Sequence, residues 1–255
     1  MLLDILHFPV AGAVRWLLWG LLLLWAGLLI GGLLLGRPDA ARRNRLPLPV
    51  RMASSTVLLA AALVWWRAGL AGGPLERFGL WIAVGMAFGL LGDLFMAGLI
   101  VARPKHVIFG MLAFGAGHIA YLLAFRQAAG LLGLNSGPAW LGSVALYLVV
   151  GVLLWLRFVR APARGPVLNY GTLVYSLLLA VVAGAAAALA VQQPLFIPLA
   201  LGALLFIASD LLVGSELMRR TAFPWIGDVI WLTYSAAQML IVYSSAAALA
   251  ALSGQ

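Results

Sequence analysis

Two aspartates stand inside apolar runs: Asp93 in GLLGDLFMAGL and Asp210 in LLFIASDLLVG. The next run after each brings more polar groups, His118 and Tyr121 after Asp93, Tyr234 and Gln238 after Asp210, and Ser209 directly precedes Asp210. Spacings of i,i+3 and i,i+4 put His118 with Tyr121, and Tyr234 with Gln238, on one helix face each. Together these side chains suit general acid–base chemistry. One carboxyl delivers a proton, the other stabilises a cation or activates water, and the imidazole, phenols and amide relay protons or orient a reactant. A structural role, bonding helix to helix, is equally open for each of His118, Tyr121, Tyr234 and Gln238.

The surroundings make the carboxyls unusual. The 255-residue chain is 65% hydrophobic and 9% charged, with a mean hydropathy of +1.10, far outside the composition of soluble domains. Apolar stretches of about 20 residues, the length that crosses a hydrocarbon core, recur from end to end. The short alternating segments of a β-barrel are absent. An ionised carboxylate at bilayer depth is expensive, about 3 kcal/mol on insertion scales, so Asp93 and Asp210 mark a functional site by default. The chain has no cysteine, which excludes disulfides and thiolate chemistry.

The elements that must position these groups are eight helices in a single integral membrane domain, predicted at about 16–35, 52–66, 78–102, 106–125, 139–158, 167–191, 195–217 and 225–249. An N-terminal piece with Asp4, His7, Pro9 and Arg15 precedes them. Breakers separate them, among them Gly72-Gly73-Pro74, Asn135-Ser136-Gly137-Pro138 and Pro224. The basic turn Arg103-Pro104-Lys105-His106 makes helices 3 and 4 antiparallel neighbours. The formal charge of +9 sits between the spans. Odd-numbered loops carry twelve Lys and Arg and the rest four, so the odd loops face the cytoplasm and both termini lie outside. Topology thus accounts for the basic charge, and nucleic-acid binding is not implied.

Gly92-Asp93-Leu94-Phe95 and Ser209-Asp210-Leu211-Leu212 each close a helix that is followed by a basic turn and a returning helix. This suggests two parallel four-helix halves. Counting about 1.5 Å per residue from the basic turns puts Asp93 and Asp210 roughly 15 Å deep, with His118 and Tyr234 near the same level and Asp228 shallow. Gly85 with Gly89, and Gly27 with Gly31, read as helix-packing devices. The tryptophans, Trp65 and Trp66 above all, read as interfacial. One deep histidine beside two carboxylates is too thin a set to define a metal centre, and no cofactor is implied.

The motifs Gly92-Asp93-Leu94-Phe95, Phe109-Gly110 with Phe114, Gly117-His118-Ile119-Ala120-Tyr121, Ser209-Asp210-Leu211, and Thr233-Tyr234 with Gln238 together resemble the YhhN family of lysoplasmalogenase-like membrane proteins. The resemblance spans helices 2 to 8 and implies eight transmembrane helices. It also implies hydrolysis of the vinyl ether bond of lysoplasmalogens to a fatty aldehyde and a glycerophospho-ethanolamine or -choline. Where the family pattern would place Lys-Pro at the start of helix 2, this chain has Leu46-Pro47, so no role is carried over for that lysine.

Vinyl ether hydrolysis begins with a proton on the β-carbon, gives an oxocarbenium ion and ends with water addition and collapse of a hemiacetal. It needs a carboxylic acid and a second carboxylate. On this reading Asp93, Asp210 and His118 are catalytic. Tyr121, Ser209, Tyr234 and Gln238 orient substrate or water, and Lys105, Arg219 and Arg220 contact the lipid phosphate. The partners are then a lysophospholipid and the surrounding membrane lipid. A proton-coupled transporter of a small amphiphile would use the same buried aspartates and repeats, and two gates in place of a single mouth would distinguish it. Fifteen arginines against one lysine, with abundant Ala, Gly and Leu, point to a GC-rich bacterial genome and hence an inner membrane.

Overall fold

The computed structural model describes residues 8–102 and 105–254. Asp4 and His7, and the Arg103-Pro104 half of the basic turn, lie outside the described residues. Among the described residues eight long helices follow one another: α1 (Gly12–Leu35), α2 (Leu48–Val64), α3 (Glu76–Met96), α4 (His106–Leu131), α5 (Gly137–Leu154), α6 (Pro166–Gln192), α7 (Ile197–Arg219) and α8 (Ile226–Ser253). All eight are long and apolar enough to span a bilayer. In lipid a helix satisfies its own backbone, so the apolar runs have few alternatives. Prolines sit in the first turns of α2, α5, α6 and α7, where no N–H partner is needed. Single π-turns extend α2 through Trp65–Gly69 and α5 through Trp155–Val159.

The largest boundary differences fall on α3 and α4. α3 stops six residues before its expected end, because Gly98 takes a φ of +72° and the N–H groups of Gly98 and Leu99 close back onto Phe95 and Leu94. Asp93 therefore stands in the last turn of α3, so a depth counted along a continuous helix from the basic turn does not apply to it. α4 runs on to Leu131, where Gly133 (φ +67°) ends it in the same way.

Most helix neighbours recur between the two halves of the chain, although the contact of α3 with α8 has no comparable counterpart of α7 with α4. α3 packs along α4 as α7 packs along α8; α1 on α2 corresponds to α5 on α6; α2 on α3 to α6 on α7; and the contact of α2 with α8 corresponds to that of α6 with α4. α1 and α5, equivalent by position, are the least buried spans. Trp25 Nε1 donates to Ser235 Oγ (2.8 Å) and Tyr243 Oη to the Leu18 carbonyl (2.7 Å), tying α1 to α8.

Gly85 and Gly89 do serve packing, and what they admit is specific. A Cβ on Gly85 would collide with the Tyr121 ring, and one on Gly89 with the Gln238 amide. Gly27 and Gly31 correct the expectation, since among the described residues no other element comes within 4 Å of a Cβ placed on either. Trp65 does not face the surroundings. It is fully buried against Phe8 and Tyr243, whereas Trp66 is half-buried and lies under Arg67.

Candidate active site

Each aspartate heads its own hydrogen-bonded cluster. Asp93, 4% exposed, accepts at Oδ2 from Ser55 Oγ of α2 (2.5 Å) and Tyr234 Oη of α8 (3.0 Å). Behind Tyr234, Gln238 Nε2 donates to the phenol (3.2 Å), and Tyr121 Oη donates to Gln238 Oε1 (2.5 Å). Three side chains thus form a one-way chain of donors that ends on Asp93, and Oδ1 is left toward the cavity that Asp93 lines.

Asp210 accepts at Oδ2 from Tyr175 Oη of α6 (2.5 Å). His118 Nε2 lies 3.2 Å from that phenol and 3.9 Å from the carboxylate. Because Tyr175 spends its proton on Asp210, it accepts from His118, which fixes the hydrogen on Nε2. Among the described residues His118 Nδ1 is buried without a partner. Phe206 stands between the two clusters, edge-on to His118 (4.6 Å) and to Tyr234 (5.4 Å).

The clusters obey the same internal repeat as the helices. The interval from Asp93 to Asp210 equals that from Tyr121 to Gln238, and the interval from His118 to Tyr234 is one residue shorter. In each half the carboxyl takes a donor from the preceding helix, Ser55 or Tyr175. It is also approached by the helix that follows the other carboxyl, through Tyr234 or His118. The Tyr121–Gln238 bond joins equivalent positions and so lies where the halves meet.

Asp93 and Asp210 line one cavity of about 780 Å³. Tyr175, Ser209 and Tyr234 border it at the depth of the carboxyls, with apolar wall from Met111, Phe114 and Leu179. Its mouth reaches the loop 36–47, where Asp39, Arg43 and Asn44 meet Arg51 of α2 and Glu216 of α7. The early end of α3 makes room for it, as Met96 and Ala97 form part of its wall. Among the described residues no Lys or Arg pairs with Asp93 or Asp210.

Several sequence expectations change at this level. His118, Tyr121 and Gln238, each 1% exposed, stand behind the residues that line the cavity. His118 and Tyr121 also do not work together, since one turns to α6 and the other to α8. Ser209 lines the cavity while its hydroxyl donates to the Ile230 carbonyl (3.1 Å). Lys105, Arg219 and Arg220 are exposed and do not line the cavity; Arg219 is spent on the carbonyls of Leu156 and Arg160. The cations at the mouth are Arg43 and Arg51.

Ser55 and Tyr175 escape a sequence reading because a serine or tyrosine in an apolar run is common. The internal repeat carries a signal for them, since both lie on the helix preceding an aspartate-bearing one.

Asp228 pins the mouth. Its carboxylate accepts from Arg45 N (2.6 Å) and Leu46 N (2.9 Å) and pairs with Arg51 (3.4 Å), while Trp225 N and Gly227 N donate to the carbonyls of Arg42 and Arg43. Arg42 and Trp225 both take positive φ, 51° and 68°, an energetic cost that the contacts of this junction offset. Hydrogen bonds from Arg43 N and the Asn44 amide hold the Asp39 carboxyl below its ordinary range, so it is ionised at neutral pH. Leu46 is buried at 2% exposure, which leaves no room for a lysine's charge there.

Removing the Tyr175 hydroxyl tests its place in this arrangement. Tyr175→Phe is expected to lower kcat about tenfold, the worth of one hydrogen bond, with KM nearly unchanged. A matching rise in KM would show instead that Tyr175 holds substrate.

Comparisons with curated proteins and with solved structures gave no match. The model of the YhhN family matches residues 48–245, from the first residue of α2 into α8. The chain belongs to the YhhN family.

Proposed function

We propose that the chain is an intramembrane hydrolase that cleaves the vinyl ether bond of lysoplasmalogens, releasing a fatty aldehyde and a glycerophospho-ethanolamine or -choline. The observation that carries this reading is the shared cavity, with two carboxyls at its inner end and a polar mouth at one end of the bundle. Membership of the YhhN family supports it. The half of the molecule beyond the Tyr121–Gln238 bond is closed by Trp65, Phe78, Ile82, Phe125 and Phe196, all fully buried. A cavity whose charged lining gathers at one end, above two carboxyls, suits a hydrolase better than an alternating-access carrier. On this reading the basic loops and the mouth face the cytoplasm of a bacterial inner membrane, with both termini outside.

The two environments suggest two roles. Asp93 is the more buried of the two and has no Lys or Arg paired with it among the described residues, and on this reading it delivers a proton from Oδ1 to the β-carbon. The oxocarbenium ion forms at the oxygen-bearing carbon. Asp210, more open and next to Tyr175 and His118, takes a proton from the water that attacks that carbon. The hemiacetal hydroxyl then returns a proton to Asp93 while Asp210 protonates the departing glycerol oxygen, so both residues end as they began. Ser55 and Tyr234 anchor Asp93, and His118 steadies the charge on Asp210 through Tyr175.

Purified protein in detergent, given a 1-alkenyl lysophospholipid, is expected to release aldehyde and to leave the saturated 1-alkyl ether intact. Absence of aldehyde from the wild-type protein would overturn the proposal.

A further inference from the structure

The mouth carries charge of both signs in equal number. Among the described residues its charged lining groups are the guanidiniums of Arg43 and Arg51 and the carboxylates of Asp39 and Glu216. Arg43 is paired with Glu216, and Arg51 is backed by Asp228 from outside the cavity. Among the described residues Arg43 Nε is buried without a partner, an unusual state for a guanidinium nitrogen.

The register along α2 relates this mouth to the carboxyl below it. Arg51 precedes Ser55, the Asp93 donor, by one helical turn, a rise of about 6 Å. In a 1-alkenyl lysophospholipid five bonds separate the ether oxygen from phosphorus, a comparable reach. A lipid whose ether lies at Asp93 therefore brings its phosphate to Arg51 and Arg43.

We propose that this mouth selects a phosphoethanolamine headgroup, with the phosphodiester held by Arg43 and Arg51 and the primary ammonium by Glu216 and Asp39. The inference rests on the hydrolase reading for the rest of the substrate. Its physical basis is charge matching. A zwitterion that enters the Arg43–Glu216 pair gives each side chain a new partner of opposite sign, and no charge is left alone. An anionic headgroup such as phosphoglycerol displaces Glu216 from Arg43 and offers it nothing, which is costly at a partly desolvated site. A primary ammonium donates three hydrogen bonds to carboxylates. A quaternary choline donates none and is best held by aromatic faces. Of the rings that line the cavity, Trp231 already has the Arg51 guanidinium over it at 5.8 Å.

The test measures binding apart from turnover. Saturated 1-alkyl lysophospholipids of one chain length, with ethanolamine, choline or glycerol headgroups, are titrated into the purified protein and followed by tryptophan fluorescence, since Trp155 and Trp231 line the cavity. The ethanolamine form is expected to bind about tenfold more tightly than the other two, the scale of a charge-assisted hydrogen bond. Glu216→Gln is expected to erase its advantage over choline, and Arg43→Gln to weaken all three. Binding of the three forms within twofold of one another overturns the proposal, as does an ethanolamine preference that survives Glu216→Gln. If aldehyde release persists while the headgroups bind alike, only the selectivity fails. If ethanolamine is preferred and no alkenyl lipid is cleaved, the mouth is as proposed and the hydrolase reading fails.

Discussion

Asp93→Asn is expected to lower kcat for aldehyde release by about a thousandfold, within the range that a positioned general acid contributes. The amide is close in size to the carboxyl and still accepts from Ser55 and Tyr234 at one atom, so the site keeps its shape and loses only the transferable proton. Asp210→Asn is expected to cost about a hundredfold, because protonation still occurs and only the activation of water is lost. The chemistry leaves a separate mark on the product. Turnover in heavy water places one deuterium on carbon 2 of the aldehyde, the former β-carbon, and slows wild-type kcat when that proton transfer limits the rate. Unlabelled aldehyde would exclude protonation at carbon, and full activity in both variants would exclude the carboxyls from the reaction.

The second large effect concerns stability. Asp228→Ala removes the acceptor of Arg45 N and Leu46 N and the partner of Arg51 in one step. Leu46 and Asp228 are 2% and 4% exposed, so water does not replace what is lost. Breaking a buried, hydrogen-bonded pair on one side costs about 3 kcal/mol, enough to lower the melting temperature in detergent by several degrees. The loop 36–47 carries Asp39 and Arg43 to the mouth, so headgroup discrimination should weaken along with stability. Asp228→Asn keeps one oxygen acceptor and should fall between. An unchanged melting temperature in Asp228→Ala would mean that the loop is held by its backbone bonds to Trp225 and Gly227 alone.

Much of this architecture is legible along the chain. Each span is a local property, an apolar run longer than the bilayer core is thick, and lipid leaves such a run little choice but a helix. The repeat is legible too. Asp93 and Asp210 head matching helix–turn–helix segments, and most of the observed helix contacts recur under the same exchange of halves. Helix ends were less readable. Gly98 stops α3 by a left-handed turn inside an apolar stretch where hydropathy shows no break, and that early stop opens the space below Asp93.

The sequence by itself determined which groups are polar at membrane depth and on which helices they ride, because insertion energetics act residue by residue. Only the tertiary structure decided whom each group meets. Residues three apart on a helix diverge by about 60°, enough for His118 and Tyr121 to enter different grooves, one meeting Tyr175 of α6 and the other Gln238 of α8. Ser55 and Tyr175 became partners of the aspartates because neighbouring helices bring them there, and Arg43 and Arg51 displaced Lys105, Arg219 and Arg220 at the mouth because Asp228 folds the first loop across it. These pairings depend on helix rotation and on one buried carboxylate's contacts, neither of which a local pattern of residue types encodes.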